Sequence, residues 1–176
     1  VGGYSAQFIA AESPGSLRKL ILAASDARHV SARAFVPADL ALHMFDPGYE
    51  SHAFWPEHLA MPLTFSDEFR QRCPEKIQRL GDTIRANQPP AKMYLRHVVA
   101  RTSHSGEGLP AQITAPTLVL TAENDRTGLD YIEESRRLSE KIAGSCMQVI
   151  PRARHLFPWE EPEATIAAIL EFLKSA

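Results

Sequence analysis

Cysteine is scarce in this sequence, which contains only Cys73 and Cys146 in 176 residues. Disulfide-stapled domains and structural zinc sites need several cysteines at short, regular spacings, and these two lie far apart. We therefore expect buried or free thiols rather than a disulfide framework or a metal site. A reducing, cytoplasmic location is favoured on this ground, although the residues alone leave the localisation undetermined.

Long apolar runs and basic clusters are also missing. No stretch of about 18 apolar residues is present to span a bilayer. The formal net charge is -2 and the pI is about 6.4, so the chain has no positive field that would attract a phosphate backbone. We expect neither a membrane nor a nucleic acid as a partner. The hydrophobic content of 44% and the charged content of 23% are instead typical of a globular enzyme.

Helix and strand signals alternate at both ends of the chain. Residues 1–28 contain a helical pattern, a Ser13-Pro14-Gly15 break and an apolar run over 17–24 that suits a buried parallel strand. Residues 109–176 predict a strand over 115–121, a helix over 129–142, a strand over 146–150 and a helix over 162–173. The closing helix carries large aliphatic side chains on one face: Ile166, Ile169, Leu170 and Leu173. This alternation predicts an α/β fold with a parallel sheet and helical crossovers.

The middle of the chain, residues 29–108, has a different texture. Aromatic residues and prolines are scattered through it, and helix signals occur over 67–87 and 92–102. We interpret it as a mostly helical cap inserted between two core segments, 1–28 and 109–176, with a polar, glycine-rich hinge near its end. Its histidines lack the spacing of metal ligands, so no metal is expected there. The three considered as possible ligands are His43, His52 and His58, in the irregular, proline-broken part of this zone.

Reactive side chains follow the two predicted strands of the last zone. Asp125 comes just after the first of these strands, and His155 comes just after the second. Functional groups of open parallel sheets gather on loops beyond the carboxyl ends of strands. We therefore expect Asp125 to accept a hydrogen bond from Nδ1 of His155, which leaves Nε2 free to act as a base. Glu123 and Asp130 are the alternative acids, and the position of Asp125 in its loop favours it over both.

Three segments in this order resemble the capped α/β-hydrolase family. Val1-Gly2-Gly3-Tyr4, with the helix and strand behind it, is similar to the segment just after the nucleophile of the family's S-x-G-G-Y elbow. The segment from Ala115 to Asp125 resembles the acid-bearing strand and its loop. The segment from His155 to Ala164 resembles the histidine loop and the start of the last helix. The resemblance implies the C-terminal part of a mostly parallel α/β-hydrolase sheet with an inserted helical cap domain.

The resemblance also implies a Ser-His-Asp triad. His155 would be the general base and then the acid, Asp125 would orient it, and the nucleophile would precede Val1. Serine is expected there because an aliphatic residue follows, whereas the family's aspartate branch usually has tryptophan. The backbone N–H of Val1 would donate to the oxyanion, and no cofactor would be needed. Ser5 is a weaker candidate nucleophile, because Gln7 stands where G-x-S-x-G has its second glycine.

The implied substrate is a small carboxylic ester, lactone, thioester or activated C–C bond. Phe54, Trp55 and Phe157 are candidate pocket residues, although Phe54 and Trp55 would serve equally well as the core of the cap. Arg152 and Arg154 depart from the small residues that relatives often carry before the histidine. They would attract an anionic substrate or alter the pocket entrance, or they would simply be solvated.

Three predicted strands leave one edge of an apolar strand without a neighbour, and such an edge promotes aggregation. We expect the N-terminal half of the same protein, as a separate chain or as preceding residues, to supply the missing strands and the nucleophile. Two other functions stay open on the same fold. One is a non-catalytic receptor for a small molecule, and the other is a cofactor-free lyase or oxygenase that uses His155 and Asp125 as its base.

Overall fold

A parallel sheet of three strands, packed against helices on both faces, holds the candidate residues. The computed structural model describes residues 2–27, 64–87, 93, 96, 106, 108–126 and 130–175. The elements are α1 (Gly2–Glu12), a 3₁₀ helix (Pro14–Ser16), β1 (Leu20–Ala23), α2 (Asp67–Arg72), α3 (Pro74–Ala86), α4 (Leu109–Gln112), β2 (Thr117–Ala122), α5 (Tyr131–Lys141), β3 (Cys146–Ile150), α6 (Phe157–Glu160) and α7 (Pro162–Lys174). One compact unit comprises Val1–His29 and Ser105–Ala176, and a second comprises Val30–His104.

β2 is the central strand of the sheet. It pairs in parallel with β1 on one side and with β3 on the other. All of its residues are buried, as expected for an apolar strand covered on both faces. The predicted α/β fold with a parallel sheet is therefore confirmed. β3 has the predicted bounds, whereas β1 begins later than expected, at Leu20, whose amide donates to the Pro116 carbonyl (2.9 Å) just before β2.

Alternate residues of the strands enter two separate cores. One face of the sheet packs against α1 and α5, and this core includes Ala10, Leu20, Leu22, Val119, Leu138 and Ile142. The opposite face packs against α6 and α7, and that core includes Leu118, Leu120, Ile150, Ala153, Phe157 and Ala168. The period of two along β1 and β2 sends neighbouring side chains to opposite faces. Both cores together fix the sheet edge from which the candidate loops emerge.

The closing helix α7 presents smaller side chains to the sheet than the sequence suggested. Thr165 and Ala168 are its buried residues, with Ile169 packing beside them. Most of the predicted apolar face is exposed instead: Ile166 55%, Leu170 47% and Leu173 49%. Small side chains let a helix approach a sheet closely, so side-chain size alone does not identify the inner face of α7. An apolar strip remains on its outer side.

Lys19 ties α7 to the entrance of β1. Its Nζ donates to the carbonyls of Phe172 (2.8 Å) and Leu173 (3.2 Å), and also to the Ser175 carbonyl. The ammonium also lies 5.2 Å from the centre of the Phe172 ring. The Phe172 and Leu173 carbonyls lie in the last turn of the helix and have no backbone partner within it. A cation at this end also opposes the negative pole of the helix dipole.

The start of α1 packs closely against the loop after β1. A Cβ at Gly3 would lie 2.1 Å from Ser25 Oγ, so this position requires glycine unless Ser25 moves. The Tyr4 hydroxyl donates to the Asp26 carboxylate (2.9 and 3.0 Å to its two oxygens), and Gln7 Nε2 donates to the Asp26 carbonyl (3.0 Å). The expected close packing of a glycine-led helix against a strand end is observed here.

The described part of the second unit contains two helices where the sequence predicted one over 67–87. Ser66 caps α2 by accepting a hydrogen bond from the Phe69 amide (3.2 Å), as its sequence position indicated. The helix is interrupted at Cys73. Pro74 then occupies the first turn of α3, where its missing N–H costs nothing. The prediction of a continuous helix was wrong at this proline. The second predicted helix, over 92–102, falls largely outside the described residues.

Candidate active site

Asp125 and His155 meet at the carboxyl edge of the sheet. Oδ2 of Asp125 lies 2.8 Å from Nδ1 of His155. The Asp125 side chain is completely buried, whereas the His155 side chain is 30% exposed. Two loops that follow neighbouring parallel strands therefore bring together residues 30 positions apart in the sequence.

This geometry determines what the imidazole can do. A buried ionised carboxylate accepts but cannot donate, so it holds the proton of neutral His155 on Nδ1. The lone pair is then on Nε2, which can take a proton from a nearby hydroxyl or water. The same carboxylate stabilises the imidazolium that forms after the transfer. Such a pair can act as a general base, and the buried contact with Asp125 sets the tautomer that this requires.

The alternative acids have other partners. Glu123 is exposed and its Oε2 accepts from the Arg152 amide at 2.7 Å. Asp130 caps α5 by accepting from the Glu133 amide (3.3 Å) and forms an ion pair with Arg126. Partial burial acts to raise the pKa of Asp130, but the bonds from Arg126 and from the Glu133 amide lower it overall. None of these contacts joins Glu123 or Asp130 to His155.

Two further residues support the pair, and sequence reasoning missed both. The Tyr131 ring lies 5.3 Å from the His155 ring, and Tyr131 is almost completely buried. Glu160, also buried, accepts from the Arg154 amide next to the histidine (2.5 Å). Tyr131 is the first residue of α5, directly after the capping Asp130, and nothing in the local pattern distinguishes it. Glu160, the last residue of α6, likewise has no distinguishing signal in the local sequence.

Of the remaining predicted site residues, the structure describes Phe157 and Arg152. Val1, Phe54 and Trp55 lie outside the described residues. Phe157 is 1% exposed and packs in the core between the sheet and α7. Arg152 is 73% exposed and pairs with Glu161 (3.5 Å), which favours the solvated interpretation of this guanidinium.

The described part of the chain offers neither a metal site nor a bilayer span. No group of three or more histidine, cysteine, aspartate or glutamate residues converges in those ranges. Within the same ranges, no helix is both long and apolar enough to cross a membrane. Cys73 and Cys146 are both free thiols in this structure.

Solved structures of α/β-hydrolases superimpose on nearly the whole chain. The enol-lactonase from Burkholderia xenovorans LB400 is 21% identical with a TM-score of 0.83, and the match covers 99% of this chain and 63% of that one. The thermophilic esterase from Thermogutta terrifontis is 27% identical with a TM-score of 0.81, covering 98% and 61% respectively. MenH from S. aureus is 21% identical with a TM-score of 0.66, covering 98% and 64%. No protein-family model and no curated protein sequence matches the chain.

The sheet, its helices and the loops at its carboxyl edge define an α/β-hydrolase fold. The chain has this fold and corresponds to its C-terminal part. It spans less than two thirds of the length of the enol-lactonase and of the esterase.

Proposed function

We propose that this chain carries the base and the acid of a serine hydrolase with a capped α/β-hydrolase fold. The observation that carries the proposal is the 2.8 Å contact between the buried Asp125 carboxylate and Nδ1 of the partly exposed His155. A buried acid that orients an accessible imidazole is the recurring arrangement of base-activated nucleophiles. The fold shared with an enol-lactonase and an esterase supports the same chemistry.

The proposed reaction is acyl transfer without a cofactor. The nucleophile is a serine that precedes Val1 in the intact protein, and Nε2 of His155 takes its proton as the oxygen attacks the substrate carbonyl. The N–H of Val1 donates to the resulting oxyanion. His155 then gives the proton to the leaving group, and a water activated in the same way releases the acid product. Suitable substrates are small, partly apolar carboxylic esters, lactones, thioesters or activated C–C bonds.

A fluorophosphonate probe tests this function on the intact protein. Such probes phosphonylate an activated serine, and we expect one labelled peptide in which the modified serine immediately precedes Val1. A Ser5→Ala variant should label as well as the wild type, since Ser5 lies within α1 and is not the proposed nucleophile. Labelling at Ser5 would contradict the assignment of the nucleophile. A folded protein that stays unlabelled would instead favour a receptor or a lyase that forms no acyl-enzyme.

The N-terminal half of the same protein is the proposed partner of this chain. Among the described residues, β1 is bonded to β2 on one side and to no strand on the other. The exposed apolar strip of α7, formed by Ile166, Leu170 and Leu173, is a second uncovered surface. An unpaired parallel strand and an uncovered apolar helix face both favour association over exposure to water. The N-terminal half would extend the sheet beyond β1 and bring the nucleophile to His155.

Hydrogen exchange of the β1 amides tests this partner. The amides of Leu20 and Ala24 donate to the Pro116 and Leu120 carbonyls, both at 2.9 Å, so the alternate amides of Ile21 and Ala23 point to the open edge. In the intact protein we expect Ile21 and Ala23 to be as strongly protected as Leu20 and Ala24, because another strand accepts their hydrogen bonds. Unprotected Ile21 and Ala23 beside protected Leu20 and Ala24 would contradict a neighbouring strand on that side.

A further inference from the structure

The loop that carries His155 has an unfavourable backbone conformation. Arg152, just after β3, has a φ of 62°, a left-handed value that side chains other than glycine seldom adopt. Such a conformation persists only where surrounding contacts determine it. Arg152 lies three residues before His155, so the contacts that hold Arg152 in this conformation also determine where the imidazole lies.

The loop after β2, which carries Asp125, is hydrogen-bonded at successive positions to the loop after β3, which carries His155. The Glu123 amide donates to the Ile150 carbonyl (2.9 Å), and the Asn124 amide donates to the Ala153 carbonyl (3.0 Å). Side chains of the same loop provide two more contacts. Glu123 Oε2 accepts from the Arg152 amide (2.7 Å), and Asp125 meets His155. Residues 123, 124 and 125 thus fix the histidine loop in register from its first residue to the imidazole.

Glu160 holds the histidine loop from the opposite direction. Its Oε2 accepts from the Arg154 amide, the residue directly before His155, at 2.5 Å. The Glu160 side chain is only 5% exposed, so few water molecules are available to replace the loop amide. A hydrogen bond from an amide to a carboxylate is stronger than one between neutral groups. Burial of the acceptor makes its loss more costly still.

We propose that Glu123 and Glu160 are positioning residues that hold Nε2 of His155 in line with the nucleophile. Their carboxylates clamp the amides of Arg152 and Arg154, one on each side of the bend before the histidine. The inference rests on the proposed function, since it assigns these residues to the triad histidine. A displacement of about 1 Å in a catalytic group is enough to reduce the rate by about 100-fold. Neither glutamate touches the reacting atoms.

The substitutions Glu160→Leu and Glu160→Gln, made in the intact protein, distinguish a positioning role from a contribution to overall stability. Glu160→Leu removes the acceptor and keeps an apolar side chain of similar size in the buried site. We expect its kcat on p-nitrophenyl acetate to fall about 10- to 100-fold with KM changed less than about threefold. Glu160→Gln keeps an acceptor oxygen and should retain kcat within about threefold of the wild type. Glu161→Gln is the matched control, because Glu161 pairs with the Arg152 side chain rather than with a loop amide.

Position 123 provides the second, independent test. Glu123 is exposed, so Glu123→Ala should fold even if Glu160→Leu does not. We expect a fall in kcat of about tenfold for alanine and recovery in Glu123→Gln.

The 2.8 Å contact with Asp125 is expected to give His155 Nδ1–H a downfield proton resonance, which would report the position of the imidazole without any reaction. It should broaden or shift in Glu123→Ala and in Glu160→Leu, and it should be restored in the glutamine variants. Wild-type kcat and an unchanged resonance in every folded alanine or leucine variant would overturn the proposal. If the wild type hydrolyses no ester and takes up no fluorophosphonate, the proposed function fails. In that case the resonance still decides whether the two glutamates position His155.

Discussion

Replacing His155 by alanine is expected to lower kcat/KM for ester hydrolysis by about 10²- to 10⁴-fold, the usual contribution of a general acid and base. The variant loses the only imidazole that Asp125 contacts among the described residues. Without Nε2 the proposed serine must transfer its proton to water, and the leaving group loses its acid. The measurement is steady-state hydrolysis of p-nitrophenyl acetate, together with the rate of fluorophosphonate labelling, which should fall in parallel.

The stability of the same variant provides the control. Asp125 remains buried after the substitution, and the loss of one hydrogen bond to a buried acceptor costs about 1–3 kcal/mol. We therefore expect a lower unfolding midpoint but a folded protein at 25 °C, verified by circular dichroism at the assay temperature. Added imidazole should restore part of the rate, because the vacated site connects to solvent on the 30% exposed side of the residue. Hydrolysis at more than about one hundredth of the wild-type rate would count against the role of His155.

The sheet could be predicted from the sequence because the patterns that indicate its strands and helices are local. β2 and β3 are short apolar runs bounded by polar residues, and the helix between them, α5, has periodic apolar positions. Parallel strands place their carboxyl ends at one edge, so the meeting of Asp125 with His155 follows once the strands are identified. The choice of Asp125 over Asp130 also depended on a local feature, its distance from the strand end.

Contacts that depend on packing could not be predicted in the same way. The outward direction of Ile166 and Leu170 depends on how closely α7 approaches the sheet, which the order of residues does not reveal. The contacts of Glu160 and Glu123 with the histidine loop depend on the bend at Arg152, and no propensity would place an arginine in a left-handed conformation. Pro74 is different, because its effect on a helix is local and the interruption there could have been predicted from the sequence.

Asp125→Asn should cause the other large loss, with kcat falling by about 10⁴-fold, because the substitution reverses the tautomer of the histidine. An asparagine amide at this buried position can donate to Nδ1, and the proton of neutral His155 then lies on Nε2. The base is thereby blocked although every heavy atom keeps its place. KM for p-nitrophenyl acetate should change much less than kcat, since the side chain lies behind the imidazole and is completely buried.

Asp130→Asn is the matched control, because it makes the same chemical change five residues further along the chain. Asparagine caps a helix as well as aspartate does, so the bond from the Glu133 amide to the cap of α5 is kept. The lost pair with Arg126 is half exposed and contributes little to stability. We expect kcat of Asp130→Asn within about twofold of the wild type. Equal losses in the two variants would show that the loop tolerates no change of charge, and would remove the case for Asp125 as the acid that orients His155.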